Sequence, residues 1–468
     1  MVKYIGKSIP PFLISLSVWL LQTCVPLDQP SLEFILQSKI KDTTQLIHVH
    51  HDTLYAQSQL RQLYTFSGNQ LIWRSYSSDP ARLKKLIEII EKVKNDGLNP
   101  YDYHLQRIYE YQRQFNSNHL RNPKHQSEIV NIDLLLSDAF LTLAFHHYTG
   151  RVHGVEMNSD WECYFDQKNL PSFLWKAIAT DSIGEALLTL DPPYHQYTEL
   201  RRMLEVSGQS LTTKQINKIT SSMERWRWLP KLRDSLFLTV NIPAFRLKLH
   251  SHDSTLIDMK TIVGILEKPT PIFNCKISHI IVRPRWNVPT SILEEEILPR
   301  VSVDTLFFAR NHFKILRTWQ DNDTSFINPS SIIWDSVTAE NFPYRIIQTS
   351  GFWNPLGDIK FMFPNQYEVY LHDTPNRSLF DQEVRMFSHG CIRIERAAEL
   401  AALLSQNDSL RYPQLFRENE RRDLNSFIPI FINYWTAWIE NGKALFYSDI
   451  YGTDSLLQIE IRKSPQIF

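Results

Sequence analysis

Glycine and cysteine are both scarce in this sequence, and neither sign of charge is in excess. The 468 residues include 13 glycines and four cysteines, and 50 lysines and arginines balance 50 aspartates and glutamates. Few glycines argue against long flexible linkers. Balanced charge gives no reason to expect the basic surface with which proteins bind nucleic acid, so we predict no nucleic-acid partner.

Motifs for metals and cofactors are also lacking. No Cys-x-x-Cys pair occurs, and His48, His50 and His51 lie too close along the chain to close a tetrahedral zinc site by themselves. We therefore predict neither a metal centre nor a cofactor. At this length the chain is expected to form two or three domains, and its 12% of aromatic residues favours well-packed cores.

The N-terminus, residues 1–24, has the pattern of a signal peptide or signal anchor. Two lysines precede an apolar run from Ile9 to Leu21. That run is shorter than the ~20 residues that span a bilayer comfortably, and we expect no other stretch of the chain to span one. The protein is therefore expected to be exported. Lipid attachment at Cys24 is an alternative, although the Gln and Thr before it fit a lipidation site poorly.

Three cysteines follow this segment, Cys163, Cys275 and Cys391. An odd number in an exported protein predicts at least one free thiol. Cys163 and Cys275 fit the ordinary role of a small buried hydrophobic residue. Cys391 differs, because a histidine and an arginine lie within two residues of it.

Residues 30–198 have a helical pattern. A cap at Ser78-Asp79-Pro80 precedes apolar residues spaced at the helical period over 83–93, and Gly97 suits a left-handed helix end. A second helix is predicted from about Asn131 to Tyr148. We interpret this half as a scaffold domain without a catalytic role. The polar helical pattern of residues 199–222 predicts a further pair of helices, which form a short linker.

The pattern changes near Ser222, and residues 223–445 are expected to form a mostly antiparallel β domain. Helical spacing over 292–317 indicates an insertion, over about 290–340, that covers a site as a cap. Strands are predicted at 344–348 and 367–371. Residues 446–468 are left as a C-terminal tail. The predicted fold class is α+β, with a helical scaffold before the β domain.

The segment that contains Cys391 reads Ser388-His389-Gly390-Cys391-Ile392-Arg393. We expect it to form a turn between a strand and a helix, where the helix N-terminus favours a thiolate. Two histidines compete as the base, since His389 is two residues away and His372 ends the preceding predicted strand. Residue spacing alone does not choose between them. Arg393 is suited to an oxyanion, a carboxylate or a salt bridge.

Leu371-His372, followed by residues 388–393, resembles the signature of YkuD-type L,D-transpeptidases, which cross-link peptidoglycan. Further segments are similar to the longer YcbB-like branch of that family, namely residues 96–103, 224–230, 241–245, 284–289, 360–365, 370–375 and 434–438. The small peptidoglycan-binding module usual in that branch is reduced or absent here, since only residues 199–222 occupy its place.

The resemblance implies roles for individual residues. It implies that Cys391 is the nucleophile, that His372 is its base, and that the backbone carbonyl of Asp373 orients His372. An oxyanion hole would come from the backbone amides of Gly390 and Cys391, with the Tyr370 hydroxyl. The further residues expected to contact or support the substrate are Ser388, His389, Arg393 and Trp286.

The resemblance also implies a function. The enzyme would join the third residues (diaminopimelate) of two stem peptides through a cysteine thioester, with release of D-Ala from a tetrapeptide donor. Expected partners are these stem peptides and cell-wall synthases, in the periplasm, with the protein free or tethered to the inner membrane by an uncleaved anchor. The alternatives are an L,D-carboxypeptidase that uses water as acceptor, and an inactive wall-binding scaffold. Carbapenems are expected to acylate an active Cys391.

Overall fold

The computed structural model describes residues 30–73, 81–116, 125–152, 169–232, 236–252, 254–301, 303–304, 306–320, 325–338, 340–463 and 465. The expected signal segment, the cap at Ser78-Asp79-Pro80 and Cys163 lie outside the described residues. The molecule combines a helical N-terminal half with a β-rich C-terminal half, so the predicted α+β class is confirmed.

The helical half packs around one central helix. Its core is formed by buried side chains of every helix, and α3 buries Leu83, Leu86, Ile87 and Ile90, as the helical spacing predicts. Gly97 adopts the expected left-handed conformation (φ 70°) after the turn Val93–Asp96. The elements of this half are α1 (Leu32–Ile40), β1 (His48–Val49), β2 (Asp52–Thr53), α2 (Gln57–Phe66), α3 (Ala81–Lys92), α4 (Leu105–Asn116), α5 (Gln126–Thr149), α6 (Leu170–Ala179) and α7 (Ile183–Leu188).

Helix α5 corrects one expectation. It is longer than predicted, and among the described residues it is the helix that is long and apolar enough to cross a membrane. However, 89% of its most apolar window is buried inside the protein. A core helix passes the same test of length and composition, and α5 occupies the centre of the scaffold core.

Two helices connect the halves, α8 (His195–Ser207) and α9 (Thr213–Arg227). Thr212 begins α9 with a capping box, in which its hydroxyl accepts from the Gln215 amide and the Gln215 side chain accepts from the Thr212 amide. The helix continues past Ser222, where the sequence pattern changes. Its last turn carries Trp226, which stacks on Trp435 at a centroid distance of 4.4 Å. That last turn therefore belongs to the packing of the β domain.

The β domain is built on a nine-stranded sheet in the order β13-β5-β14-β12-β11-β6-β15-β3-β4, and β4 also pairs with β5. The extra pairing closes all of these strands except β13 into a ring around an apolar core. Most neighbours are antiparallel, and three pairs (β12–β14, β13–β5 and β15–β3) are parallel. The bounds are β3 (Leu236–Asn241), β4 (Arg246–Ser251), β5 (Ser254–Gly264), β6 (Phe273–Val282), β11 (Ile359–Met362), β12 (Leu371–His372), β13 (Met386–Ser388), β14 (Ile392–Ile394), α13 (Ala397–Ser405) and β15 (Glu420–Asn433).

Between β6 and β11 lies a cap with its own small apolar core. It is less helical than predicted, because Phe313–Leu316 forms a strand within the segment that has helical spacing. A π-helical turn, Leu293–Ile297, joins two of its helices. The cap consists of β7 (Trp286–Asn287), α10 (Thr290–Ile292), α11 (Leu298–Val301), α12 (Phe307–Arg310), β8 (Phe313–Leu316), β9 (Phe326–Ile327) and β10 (Arg345–Gln348).

The end of the β domain and the following residues 446–468, which were expected to form a C-terminal tail, contain a hairpin and a helix. A hairpin of β16 (Ala437–Glu440) and β17 (Lys443–Phe446) is followed by α14 (Thr453–Arg462). Asp454 at the start of α14 pairs with the buried Arg225 of α9 at 2.5 Å. Leu457 is fully buried. The segment thus ties the connecting helices to the β domain.

Candidate active site

Strand pairing brings the catalytic candidates together. Strands β12 and β14 run parallel, with Leu371 beside Ile392 and His372 beside Arg393. One residue earlier on both strands, Tyr370 lies beside Cys391, and the Ile392 amide donates to the Tyr370 carbonyl at 3.1 Å. Because side chains alternate along a strand, Tyr370, His372, Cys391 and Arg393 are placed on the same face. The rings of Tyr370 and His372 are 5.7 Å apart.

The strand before His372 is shorter than predicted. The alternation of apolar and other residues predicts a strand over 367–371, but β12 contains only Leu371 and His372. Glu368 has φ 55°, in the left-handed region that interrupts a strand. The Asn365 side chain accepts from the amides of Tyr367 and Val369 at 3.1 Å and so stabilises this turn. The turn sends the Glu368 carbonyl towards Cys391, 3.8 Å from its sulfur.

The surroundings of Cys391 also differ from the prediction. The residue lies between β13 and β14, and the next helix begins six residues later at Ala397, so no helix N-terminus acts on the thiol. Burial raises the pKa of the Cys391 thiol above its usual value, while hydrogen bonds from Tyr370 and the charges of Lys360 and Arg393 oppose that rise. The expectation of a helix-stabilised thiolate is therefore wrong. Burial therefore favours the neutral thiol over the thiolate.

His372 is held in a neutral form that can accept a proton. Its Nδ1 donates to the backbone carbonyl of Asp373 at 2.6 Å, which leaves Nε2 with its lone pair. Burial, reinforced by the nearby Arg393, lowers the pKa of His372 to about 3. The Asp373 carboxylate has other partners, since it accepts from the Asp358 amide at 3.0 Å and the Arg377 guanidinium at 2.9 Å. The carbonyl of Asp373 thus occupies the orienting position, as the resemblance implies.

Tyr370 contacts the Cys391 sulfur, and Lys360 packs on the ring of Tyr370. The Tyr370 hydroxyl is hydrogen-bonded to Cys391, and burial together with the nearby thiol raises the pKa of Tyr370 well above its usual value. The Lys360 ammonium lies 3.6 Å from the centroid of the Tyr370 ring. Lys360 also faces His372 across β11 and β12. Tyr370 is therefore a proton donor fixed beside the reacting sulfur.

Ser388 and Gly390 form hydrogen bonds with residues of the same motif. Ser388 is buried, and its hydroxyl donates to the Cys391 carbonyl at 2.5 Å and accepts from the Gly390 amide at 3.2 Å. These bonds give Ser388 a positioning role inside the motif, and its contact with the substrate stays a prediction. An oxyanion bond from the Gly390 amide would require it to leave Ser388. Gly390 has φ 108°, a conformation that other residues rarely adopt.

The other predicted site residues lie in three different surroundings. His389 is nearly half exposed, and its Nε2 lies 4.0 Å from Glu296 of the cap. Arg393 is mostly buried, and its Nε has no hydrogen-bond partner among the described residues. Trp286 lies in the cap, with its ring 6.2 Å from that of Phe313. The structure therefore brings Arg393 to Cys391, while a substrate contact of Trp286 stays a prediction.

Among the described residues, one group has the composition of a metal site. Potential ligand atoms of Asp96, His147 and Asp191 lie within 4.8 Å of one another. Arg201 pairs with Asp96 at 3.0 Å and with Asp191 at 2.8 Å, and His147 is bonded to Asp191 at 2.6 Å. The partly exposed Arg201 between two carboxylates supplies the positive charge that a cation would bring. We interpret the group as an ion-pair network between the scaffold and α8.

Sequence reasoning missed Thr270, which bonds to the motif, and Tyr451, which bonds to Thr270. The Thr270 hydroxyl donates to the Gly390 carbonyl at 2.8 Å. The Tyr451 hydroxyl donates to the Gly264 carbonyl at 2.6 Å and accepts from the Thr270 amide at 3.4 Å. Both are more than 50 residues from Cys391 along the chain and carry no motif. Only their three-dimensional placement reveals them.

The pKa of His372 predicts how activity depends on pH. A pKa of about 3 keeps the imidazole neutral. The value of kcat/KM should therefore stay constant from about pH 8 down to about pH 5, without the fall near pH 6.5 that protonation of an ordinary histidine would cause. Alkylation of Cys391 by iodoacetamide should accelerate with rising pH and have its midpoint above pH ~8.5, the ordinary thiol value. An alkylation midpoint below pH ~7 would instead indicate a thiolate–imidazolium pair and contradict this prediction.

Comparisons with known proteins find a matching family and one curated relative. A family model described as the L,D-transpeptidase catalytic domain matches residues 235–411, and a model described as the Scaffold domain matches residues 58–204. A Haemophilus influenzae protein named "Putative L,D-transpeptidase" is 30% identical over 341 residues, which are 70% of this chain and 67% of that protein.

Two solved structures are similar over less of the chain. An L,D-transpeptidase from Mycobacterium smegmatis is 12% identical, with a TM-score of 0.20, over 42% of this chain and 58% of that one. The LD transpeptidase LdtMt1 in complex with imipenem is 16% identical, with a TM-score of 0.20, over 43% and 59%. The match thus spans less than two thirds of either solved chain.

Proposed function

This chain belongs to the L,D-transpeptidase family, and we propose that it joins the third residues of two peptidoglycan stem peptides through a thioester on Cys391. The single observation that supports this most is the shared face of β12 and β14. That face carries a thiol, a neutral imidazole and a phenol. These are the nucleophile, base and hydrogen-bond donor that acyl transfer needs.

In the first step the Cys391 sulfur attacks the carbonyl carbon between the third stem residue and D-Ala. The thiol proton passes to Nε2 of His372 as the C–S bond forms. The developing positive charge on the ring is stabilised by the bond from Nδ1 to the Asp373 carbonyl. The C–N bond then breaks, and His372 returns the proton to the amine of D-Ala. A thioester between Cys391 and the third residue remains.

In the second step the side-chain amine of a diaminopimelate on another stem attacks the thioester. His372 accepts a proton from this amine, the new C–N bond forms and the C–S bond breaks. The sulfur then recovers its proton from His372. In both steps negative charge develops on a carbonyl oxygen, and the Tyr370 hydroxyl and the Cys391 amide are the proposed donors to it.

The cap is proposed to limit the access of water. Two contacts join it to loops around Cys391: Glu295 pairs with Lys268 at 2.9 Å, and Glu296 lies 4.0 Å from His389. A site that excludes water favours an amine acceptor over hydrolysis. The reaction would take place in the periplasm, after export directed by residues 1–24. The stem peptides are the proposed partners, together with the synthases that supply the strands.

Product analysis separates transfer from hydrolysis. Purified protein is incubated with a disaccharide tetrapeptide alone, and then with an amine acceptor such as a D-amino acid in excess. We expect a cross-linked dimer in the first case and an exchanged stem peptide in the second, with free D-Ala in both. Tripeptide as the sole product under both conditions would show that the enzyme is an L,D-carboxypeptidase. Release of no D-Ala would favour an inactive wall-binding protein.

A further inference from the structure

The loop between β5 and β6 is built against the catalytic motif. The Ile265 amide donates to the Ser388 carbonyl at 2.9 Å. Five residues further on, the Thr270 hydroxyl accepts from the Gly264 amide at 2.9 Å and donates to the Gly390 carbonyl at 2.8 Å. Thr270 is 2% exposed, so its hydroxyl makes these bonds out of contact with bulk water. A buried hydroxyl that uses its donor and one acceptor position in this way has a fixed orientation.

The bond to Gly390 determines the direction of the next amide. The Gly390–Cys391 peptide is trans, as are the other described peptides, so its carbonyl and the Cys391 N–H point in opposite directions. Thr270 holds the carbonyl end of this peptide plane. The residue that carries this carbonyl, Gly390, has no side chain and adopts φ 108°, so its backbone can take up more orientations than that of another residue. An external bond is therefore needed to fix the plane.

The loop is itself held from the C-terminal segment. The Tyr451 hydroxyl bonds to both the Gly264 carbonyl and the Thr270 amide, at 2.6 and 3.4 Å. The Tyr451 amide in turn donates to the hydroxyl of Tyr434, which is fully buried at the end of β15. Gly264 permits the close turn, because a Cβ there would lie 2.1 Å from the Lys268 carbonyl oxygen. Contacts from β15 thus extend through Tyr451 to Gly390.

We propose that Thr270 is a positioning residue for acyl transfer, whose hydroxyl orients the Gly390–Cys391 peptide so that the Cys391 amide points at the substrate carbonyl oxygen. The inference deepens the proposed function and rests on it. Thr270 does not touch the reacting atoms. It acts through the peptide, and Tyr451 supports it by holding the loop. Loss of the bond should lower the rate of steps in which an oxyanion forms and leave other reactions of the thiol unchanged.

The experiment compares Thr270→Val with Thr270→Ser in the full chain. Valine keeps the shape of threonine and removes the hydroxyl, whereas serine retains the hydroxyl. We expect Thr270→Val to lower kcat and the rate of acylation by imipenem by about 10- to 100-fold, with little change in KM, since loss of one oxyanion donor costs about 10²- to 10³-fold. Thr270→Ser should recover most of the rate. Tyr451→Phe should show a smaller loss of the same kind.

Alkylation by iodoacetamide is the second readout, because that displacement creates no oxyanion. Thr270→Val should leave its rate and pH dependence unchanged. The matched control is Thr261→Val, which removes a buried hydroxyl of β5 without a hydrogen-bond partner among the described residues. We expect the rates of this variant to equal those of the unmodified protein.

Several outcomes would overturn the inference. An active Thr270→Val protein with unimpaired acylation would do so while leaving the proposed function intact. An equal loss of alkylation and acylation would do so too, because it would indicate a general disturbance of the loop. If the unmodified protein is itself not acylated and forms no product, the proposed function fails first, and the role of Thr270 fails with it.

Discussion

Replacing Cys391 with alanine is expected to reduce cross-linking and D-Ala release to background, a loss of at least about 10⁴-fold. Cys391 is the free thiol on the face shared by β12 and β14, and no other described side chain there can form a thioester with the donor. The fold should be retained, because the side chain is only half-buried and alanine is smaller. Release of D-Ala and formation of dimer, followed by liquid chromatography, measure the effect.

Cys275 supplies the matched control. It is the other cysteine among the described residues, it is similarly half-buried, and it lies on β6 with its sulfur near the Pro364 carbonyl. Cys275→Ala should keep full activity and show the same unfolding temperature as Cys391→Ala within a few degrees. If Cys391→Ala still forms dimer while Cys275→Ala does not, the nucleophile has been misassigned.

Replacing His372 with alanine is expected to lower kcat/KM by about 10³- to 10⁴-fold, whereas His389→Ala should lower it by less than about tenfold. General-base catalysis by a placed side chain contributes on the order of 10²- to 10⁴-fold, and here a neutral thiol depends on it fully. His372 is buried on the face that carries the sulfur, with its Nδ1 already bonded to Asp373. His389 is nearly half exposed and reaches the cap carboxylate of Glu296 at 4.0 Å.

The comparison is made by steady-state kinetics on both variants, with the rate of imipenem acylation as a second measure. His372→Ala should also slow acylation, because the same proton must leave the sulfur. Raising the pH above ~9 should recover part of the His372→Ala rate, since hydroxide then forms the thiolate without the imidazole. A larger loss for His389→Ala than for His372→Ala would reverse the assignment of the base.

The residue pattern predicted features that depend on neighbours along the chain. Spacing of 3.6 residues located the buried face of α3, and Gly97 was assigned correctly to a left-handed turn. The motif around Cys391 and its distance from His372 predicted the family correctly, because both can be read directly from the order of residues. Such local patterns are readable because each depends on few distant contacts.

Features that depend on tertiary environment could not be read in this way. The state of Cys391 is one example, since burial raises its pKa and no helix follows it closely enough to oppose that. The choice between His372 and His389 is another, because residue spacing left it open and the pairing of β12 with β14 placed His372 on the face of Cys391. Thr270 bonds to Gly390, and Tyr451 bonds to Gly264 in the same loop as Thr270. Both residues are far from Gly390 along the chain, so no local sequence pattern indicates these contacts.

The expectation about membrane-length apolar stretches was wrong at α5, also because it depends on the tertiary environment. We expected no membrane-length apolar stretch beyond the N-terminus, yet α5 has 24 residues and the required composition. Its small and polar residues, such as Asp133 and Asp138, interrupt the sequence pattern. In the structure both carboxylates are buried, where they accept hydrogen bonds from the amides of Ile72, Trp73, Tyr55 and Ala56. Composition alone does not distinguish such a core helix from a membrane span.

The central claim is that Cys391 carries the acyl group between the two stems. It is tested most directly by mass spectrometry of the intact protein mixed with a tetrapeptide donor whose diaminopimelate side-chain amine is acetylated, so that the donor cannot act as acceptor, followed by peptide mapping. We expect an adduct equal in mass to the donor minus D-Ala, located on Cys391 and discharged when diaminopimelate-containing stems with a free side-chain amine are added. D-Ala release without any adduct on Cys391, or a stable adduct that no amine discharges, would contradict it.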